Sequence, residues 1–213
     1  MNINLPKGSN RLLLLLLSAD FLFIVLHIIG PRTNYFDNPN FLLTTDGGYP
    51  EVFQYLKEYW IALLLLHFAI KKRNLLYLSL SILFGYFLVD DFFQIHETMG
   101  YKASIYFNFS PMLGLRAQDF GELIVSGFFG LCLFLLIGVT YYLAESNDKT
   151  TCRSILIMVL ALVLFGVVVD MLGIMVKTYP WQPMLDIVED GGEMLVMSVI
   201  FWFVFLLPEM EKN

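Results

Sequence analysis

Along the chain, apolar stretches of roughly 20 residues, the length that crosses a bilayer as a helix, alternate with short polar segments. Six such stretches stand out, at 11–30, 53–70, 75–97, 119–143, 152–176 and 187–207. Pro31, Pro50, Pro111, Pro180, Pro183 and Pro208 fall between or just beyond them, where a missing backbone N–H interrupts no helix. The pattern predicts an all-α, polytopic integral membrane bundle of six transmembrane helices, a single domain over residues 1–213. The first stretch follows Lys7 and Arg11 in the manner of a signal peptide. It runs on through "SADFLFIVLHIIG" without a small-x-small cleavage pattern, so a retained helix is expected.

Composition sharpens the class. Of 213 residues, 58% are hydrophobic and only 15% charged, against about 25% charged in soluble domains. No basic patch supports nucleic-acid binding, and the two cysteines, Cys132 and Cys152, form no disulfide framework. HExxH, CxxC, a Walker loop and GxSxG are all missing, which removes the motif-borne hydrolase and nucleotide chemistries. The lipid bilayer is the expected partner, and a homo-oligomer or a larger membrane complex stays open.

Charge placement then orients the bundle. Alternating loops collect Lys7, Arg11, Lys71, Lys72, Arg73, Lys149, Arg153 and Lys212 on one side. Arg32, Lys57, Lys102, Arg116 and Lys177 fall on the other. Eight bases against five, with "KKR" in a short loop, predict cytoplasmic termini and a multi-pass protein of the plasma (inner) membrane. The acids are more lopsided still, with 14 of 19 on the outer side or in the outer helix ends. Acids contribute little to topology, so their segregation needs another cause.

Helical phase brings these acids together. At about 100° per residue, Asp90, Gln94 and Glu97 share a stripe about 60° wide, whereas on an unbroken helix His96 points more than 100° away from it. "QDFGEL" puts Asp119 and Glu122 on one face, and "DIVEDGGEM" sets Asp186, Glu189, Asp190 and Glu193 in one arc. Glu58 shares a face with Glu51 and Gln54, Asp170 ends the fifth stretch, and Asp20 with His27 could extend a proton path inward. Intramembrane carboxylates face partners or water-filled cavities. Acids on five helices at one depth therefore predict a shared chamber near the outer face. Its candidate ligands are Asp90, Asp91, His96, Glu97, Asp119, Glu122, Asp170, Glu189, Asp190 and Glu193, with Glu58, Gln94, Asp20 and His27 behind them. Asp119, Asp186 and Glu189 also read as solvated flanks or N-terminal helix caps. Too few bases are near to neutralise the set, which leaves a bound cation or shared protons. Carboxylates with one imidazole suit Ca²⁺, Mg²⁺ or Mn²⁺ better than zinc or copper, and leave iron open.

At "DDFFQIHE", "GLRAQDFGELIV", "IVEDGGEM" and "GGYPEVFQYLKEYW" the chain resembles a group of uncharacterised bacterial multi-pass membrane proteins carrying a D-[DE]-x-x-x-[IL]-H-E segment. The resemblance implies a bacterial source and no particular chemistry. A weaker likeness to di-iron carboxylate bundles stops at their paired Glu-x-x-His motifs, which do not occur here. Three classes of function follow: a metal-dependent membrane enzyme with a carboxylate-rich cation site, a proton- or cation-coupled transporter, and a structural subunit of a membrane complex.

Overall fold

A computed structural model describes residues 9–30, 33, 38–176 and 178–210. Lys7, Pro31, Arg32, Asp37, Lys177 and Lys212 lie outside the described residues. The described chain is helical almost throughout: α1 (Ser9–Ile29), α2 (Tyr49–Lys72), α3 (Leu75–Phe93), α4 (Ile95–Tyr106), α5 (Ala117–Leu143), α6 (Ser146–Val163), α7 (Asp170–Met175) and α8 (Trp181–Met210). A π-type turn, Leu164–Val169, joins α6 to α7 in one continuous rod.

Five helical segments are long and apolar enough to cross a membrane: Asn10–Ile29, Leu75–Phe93, Ala117–Leu143, Ser146–Met175 and Trp181–Pro208. The chain is therefore built as a membrane protein. Helix α2 has the length, 24 residues, but carries Glu51, Lys57, Glu58, Lys71 and Lys72 within it. The charges at its middle are tolerated because they are buried in protein: Lys57 and Glu58 are fully inaccessible.

The core lies where α2, α3, α6 and α8 meet. Ile61, Leu65 and Phe68 of α2 pack with Leu76, Tyr77, Leu80 and Phe84 of α3, Ile155 of α6, and Met197, Ile200 and Val204 of α8. Outward faces stay apolar, as with Leu14, Phe21, Phe128, Phe134 and Leu160. A bilayer removes most of the hydrophobic drive for helix association, leaving close packing and polar contacts to hold the bundle. Two local devices set the ends of α3. The Asn74 side chain caps its N-terminus by accepting from the Leu76 amide at 2.8 Å. Its C-terminus stops at Gln94, which sits in the left-handed region at φ 49°.

That stop is where the structure departs from the sequence reading. The third stretch does not run to Glu97. Gln94 turns the chain, and a new helix, α4, starts at Ile95. The fifth stretch is likewise interrupted by the π-type turn.

Candidate metal centre

The break at Gln94 decides the site. Because the chain turns there, His96 comes back over the end of α3 instead of pointing away from Asp90, which corrects the phase argument made for an unbroken helix. The His96 amide donates to Asp90 Oδ1 at 2.9 Å, and His96 Nδ1 lies 3.0 Å from Asp90 Oδ2. Asp90, Asp91 and His96 bring one potential ligand atom each to within 4.8 Å of one another. With Nδ1 held by Asp90, Nε2 would be the ring nitrogen open to an ion once the imidazole gives up its proton, as when a carboxylate orients a ligating histidine. The Asp90 hydrogen bond also raises the imidazole to about 9, against the opposing effect of burial.

Glu58 sits beside this group as a buried acid set against another acid. It is fully buried, and neither carboxylate oxygen has a hydrogen-bond partner among the described residues. The group set against it is the Asp91 carboxyl. Two apposed carboxyls are costly in a low-dielectric interior unless a proton or cation joins them, and one shared proton would make Glu58 and Asp91 hydrogen-bond partners of each other. Tyr86 adds a third unsatisfied atom: its buried hydroxyl faces Asp90 without a hydrogen bond of normal geometry. Tyr55 closes another side, donating to Glu51 at 2.5 Å and to the Asp91 carbonyl at 3.3 Å.

The other predicted residues fall into groups around this centre. Glu193 accepts from Gln54 Nε2 at 3.5 Å and lies within electrostatic reach of Glu58 and Asp91. It fits because position 166 is glycine. A Cβ there would stand 1.8 Å from the Glu193 Oε1 atom, so the π-type turn presents a bare backbone to the carboxylate. Glu189 and Asp190 interact with Asp170 and Asp186, and Asp190 also with Asp46 and Glu51. Glu97 opens α4, next to His96, and faces Asp46, Glu51 and Glu122; burial raises its carboxyl above the ordinary range. Glu122 accepts from Gln118 at 2.6 Å. Asp170 interacts with Glu122, Asp119, Arg116 and His96.

Three residues have other employment. Asp119 caps α5: it accepts from the Arg116 amide at 2.6 Å and from Arg116 Nε at 2.8 Å. Asp20 is joined not to His27 but to Lys57 at 3.0 Å and to Ser198 at 2.5 Å. His27 accepts from the Leu43 amide at 3.0 Å. Gln94 contributes its backbone conformation. Lys57 and Arg116 are thus committed to Asp20 and Asp119, and among the described residues His96 is the base that contacts Asp90. Gly166 as a carboxylate seat and Tyr86 escaped the sequence reading, which had Lys57 only as a possible partner of the outer acids and Tyr55 only as a neighbour on the Glu58 face. A lysine one place from a glutamate, well inside a helix whose other charges lie at its ends, was the available signal.

The chain belongs to the family described as a domain of unknown function, DUF8692, which matches residues 50–208 and so includes every residue of the centre. No curated protein and no solved structure matches it.

Proposed function

We propose that this member of the family is a plasma-membrane protein of six crossing helices, both termini cytoplasmic, that holds a divalent cation near its outer face through Glu58, Asp90, Asp91 and His96. α2 serves as the sixth crossing helix, and Glu193, Glu189 and Asp190 form the acidic approach. The observation that carries this reading is the orphaned Glu58 carboxylate against Asp91. A cation bridging the two would satisfy both, offset their repulsion and take its further ligands from Asp90 and the His96 ring. Hard oxygen donors favour Mg²⁺, Mn²⁺ or Ca²⁺, and the imidazole tilts the choice toward Mn²⁺ or iron over Ca²⁺. Such an ion supplies Lewis-acid chemistry or an activated water to a substrate at the outer face.

The test is thermal melting of the detergent-purified protein. A ligand bound only by the folded state stabilises it by about 2.7 kcal/mol at a hundredfold excess over Kd. Chelator should lower the melting temperature and Mn²⁺ or Mg²⁺ restore it, while Glu58→Gln abolishes the restoration. A protein indifferent to both would overturn the reading.

A second reading has its own observation. Two helix interruptions, at Gln94 and at Leu164–Val169, lie beside the acids, and broken helices at a buried ion site are a feature of transporters. In that reading the same cation is carried, and proteoliposome uptake of Mn²⁺ would separate carrier from enzyme.

A further inference from the structure

At 12 residues α4 is too short to cross a bilayer, yet one of its sides is apolar and exposed. Its inner side packs on the start of α5. Gly100 lies against Glu122, the Gly100 carbonyl and the Ser104 amide lie against Gly121, and Phe109, just past the helix, meets the Phe120 ring at 6.3 Å. The opposite side, about 160° wide by the helical repeat, exposes Tyr101, Ile105 and Tyr106, and the turn that follows exposes Phe107, Met112 and Leu113. Ile105 is 59% exposed and Leu113 71%. So large an apolar patch marks a contact surface.

The length of α5 says what covers it. That helix has 27 residues and so runs about 40 Å, against about 30 Å of hydrocarbon in a bilayer. From Leu123 to Leu143 it carries no charged residue, and that part alone fills the hydrocarbon; Arg116, Asp119 and Glu122 mark the surplus at its start. Gly121 and Glu122, where α4 is seated, therefore stand at the level of the lipid headgroups. The patch also continues a lipid-facing surface: Phe128 and Leu135 lie two and four turns further in on the face of α5 that carries Gly121, and both are exposed. Lys102 stands, exposed, at the middle of the α4 face. A two-fold pairing of copies through this face would bring their lysines together. At a bilayer surface the lysine stem instead follows the apolar side chains while the ammonium reaches the phosphates. We propose that α4 and the turn 107–115 form an interfacial segment seated among the lipid headgroups, with Tyr101, Ile105 and Leu113 turned to the lipids, and that the partner of this face is the bilayer surface. The inference does not depend on a bound cation; His96, in the first turn of the same helix, takes the same depth.

The experiment is spin-label accessibility of the full chain in vesicles of phosphatidylethanolamine and phosphatidylglycerol. Exposed Cys132 is replaced by alanine, buried Cys152 is kept, and single cysteines at Ile105, Leu113, Phe128 and Asn147 carry the label. All four positions are exposed, so the label displaces no packed side chain and melting curves should match the parent. At Ile105 and Leu113 the ratio of collisions with oxygen to collisions with a water-soluble nickel chelate should be several-fold above that at Asn147, at the start of α6, and below that at Phe128. A ratio equal to that at Asn147 puts the face in water, and one equal to that at Phe128 puts it in the hydrocarbon. Few collisions with either reagent put it under a second copy or a protein partner. Each of these three results would overturn the proposal.

Discussion

Lys57 and Asp20 are a buried ion pair in a helix bundle, with Ser198 and the Met194 carbonyl completing the lysine's partners at 3.2 and 2.8 Å. Breaking such a pair on one side strands a charge, at a cost of about 3–5 kcal/mol, whereas replacing both members with apolar residues of similar size is near neutral or stabilising. Asp20→Leu should therefore lower the melting temperature sharply, and Asp20→Leu with Lys57→Met should recover most of the loss. A double variant as unstable as the single one would show that the pair does more than neutralise itself. The same scale explains what could be read from the residues alone. That Asp90, Asp91 and Glu193 fall at one depth toward helix ends needed only hydropathy and counting. That His96 joins Asp90 depended on a left-handed backbone at Gln94, a non-glycine residue whose sequence gives no turn signal.

At the scale of elements, α4 holds His96 only because it lies tightly on α5. A Cβ at Gly121 would come within 1.9 Å of the Gly100 carbonyl oxygen, and one at Gly100 within 2.7 Å of the Glu122 amide nitrogen. This glycine contact lets the two backbones nearly touch, as small residues do between membrane helices. Gly121→Ala should push α4 away, costing about 1–3 kcal/mol as overpacking does, and should weaken cation binding by moving His96. Gly127→Ala on the same helix meets nothing within 4 Å. It should be neutral or stabilise by up to about 1 kcal/mol from helix propensity. Paired melting curves of the two variants check both signs. Gly166→Ala is expected to displace the Glu193 carboxylate without touching the Asp90–His96 contact. The sequence pattern revealed the long helices but neither α4 nor the π-type turn. α4 is short and mixed in character, and an extra residue in a helical turn leaves no trace in an apolar run.

For the whole molecule, five apolar helices and the buried charges of α2 make a bundle that is apolar on its outward faces as well as in its core. The proposed orientation puts Asn38 outside and Asn147 inside, so cysteines introduced there should react with a membrane-impermeant reagent in intact cells at the first position only. Reaction of both from one side would reject the six-helix topology. The fold class was legible from run lengths, because the bilayer fixes how long an apolar helix must be. The site was legible as a depth but not as a geometry, because which carboxylates touch depends on two breaks in the helices. The central claim is that Glu58 is orphaned for want of an ion. Its most direct test is metal analysis by mass spectrometry of protein purified in detergent, wild type beside Glu58→Gln and Asp91→Asn. About one divalent ion per chain in the wild type, lost from both variants and from protein washed at low pH, where protonated carboxylates release metal, is the predicted result. Metal-free wild-type protein that also takes up no ion when Mn²⁺, Mg²⁺ or Ca²⁺ is supplied would contradict it.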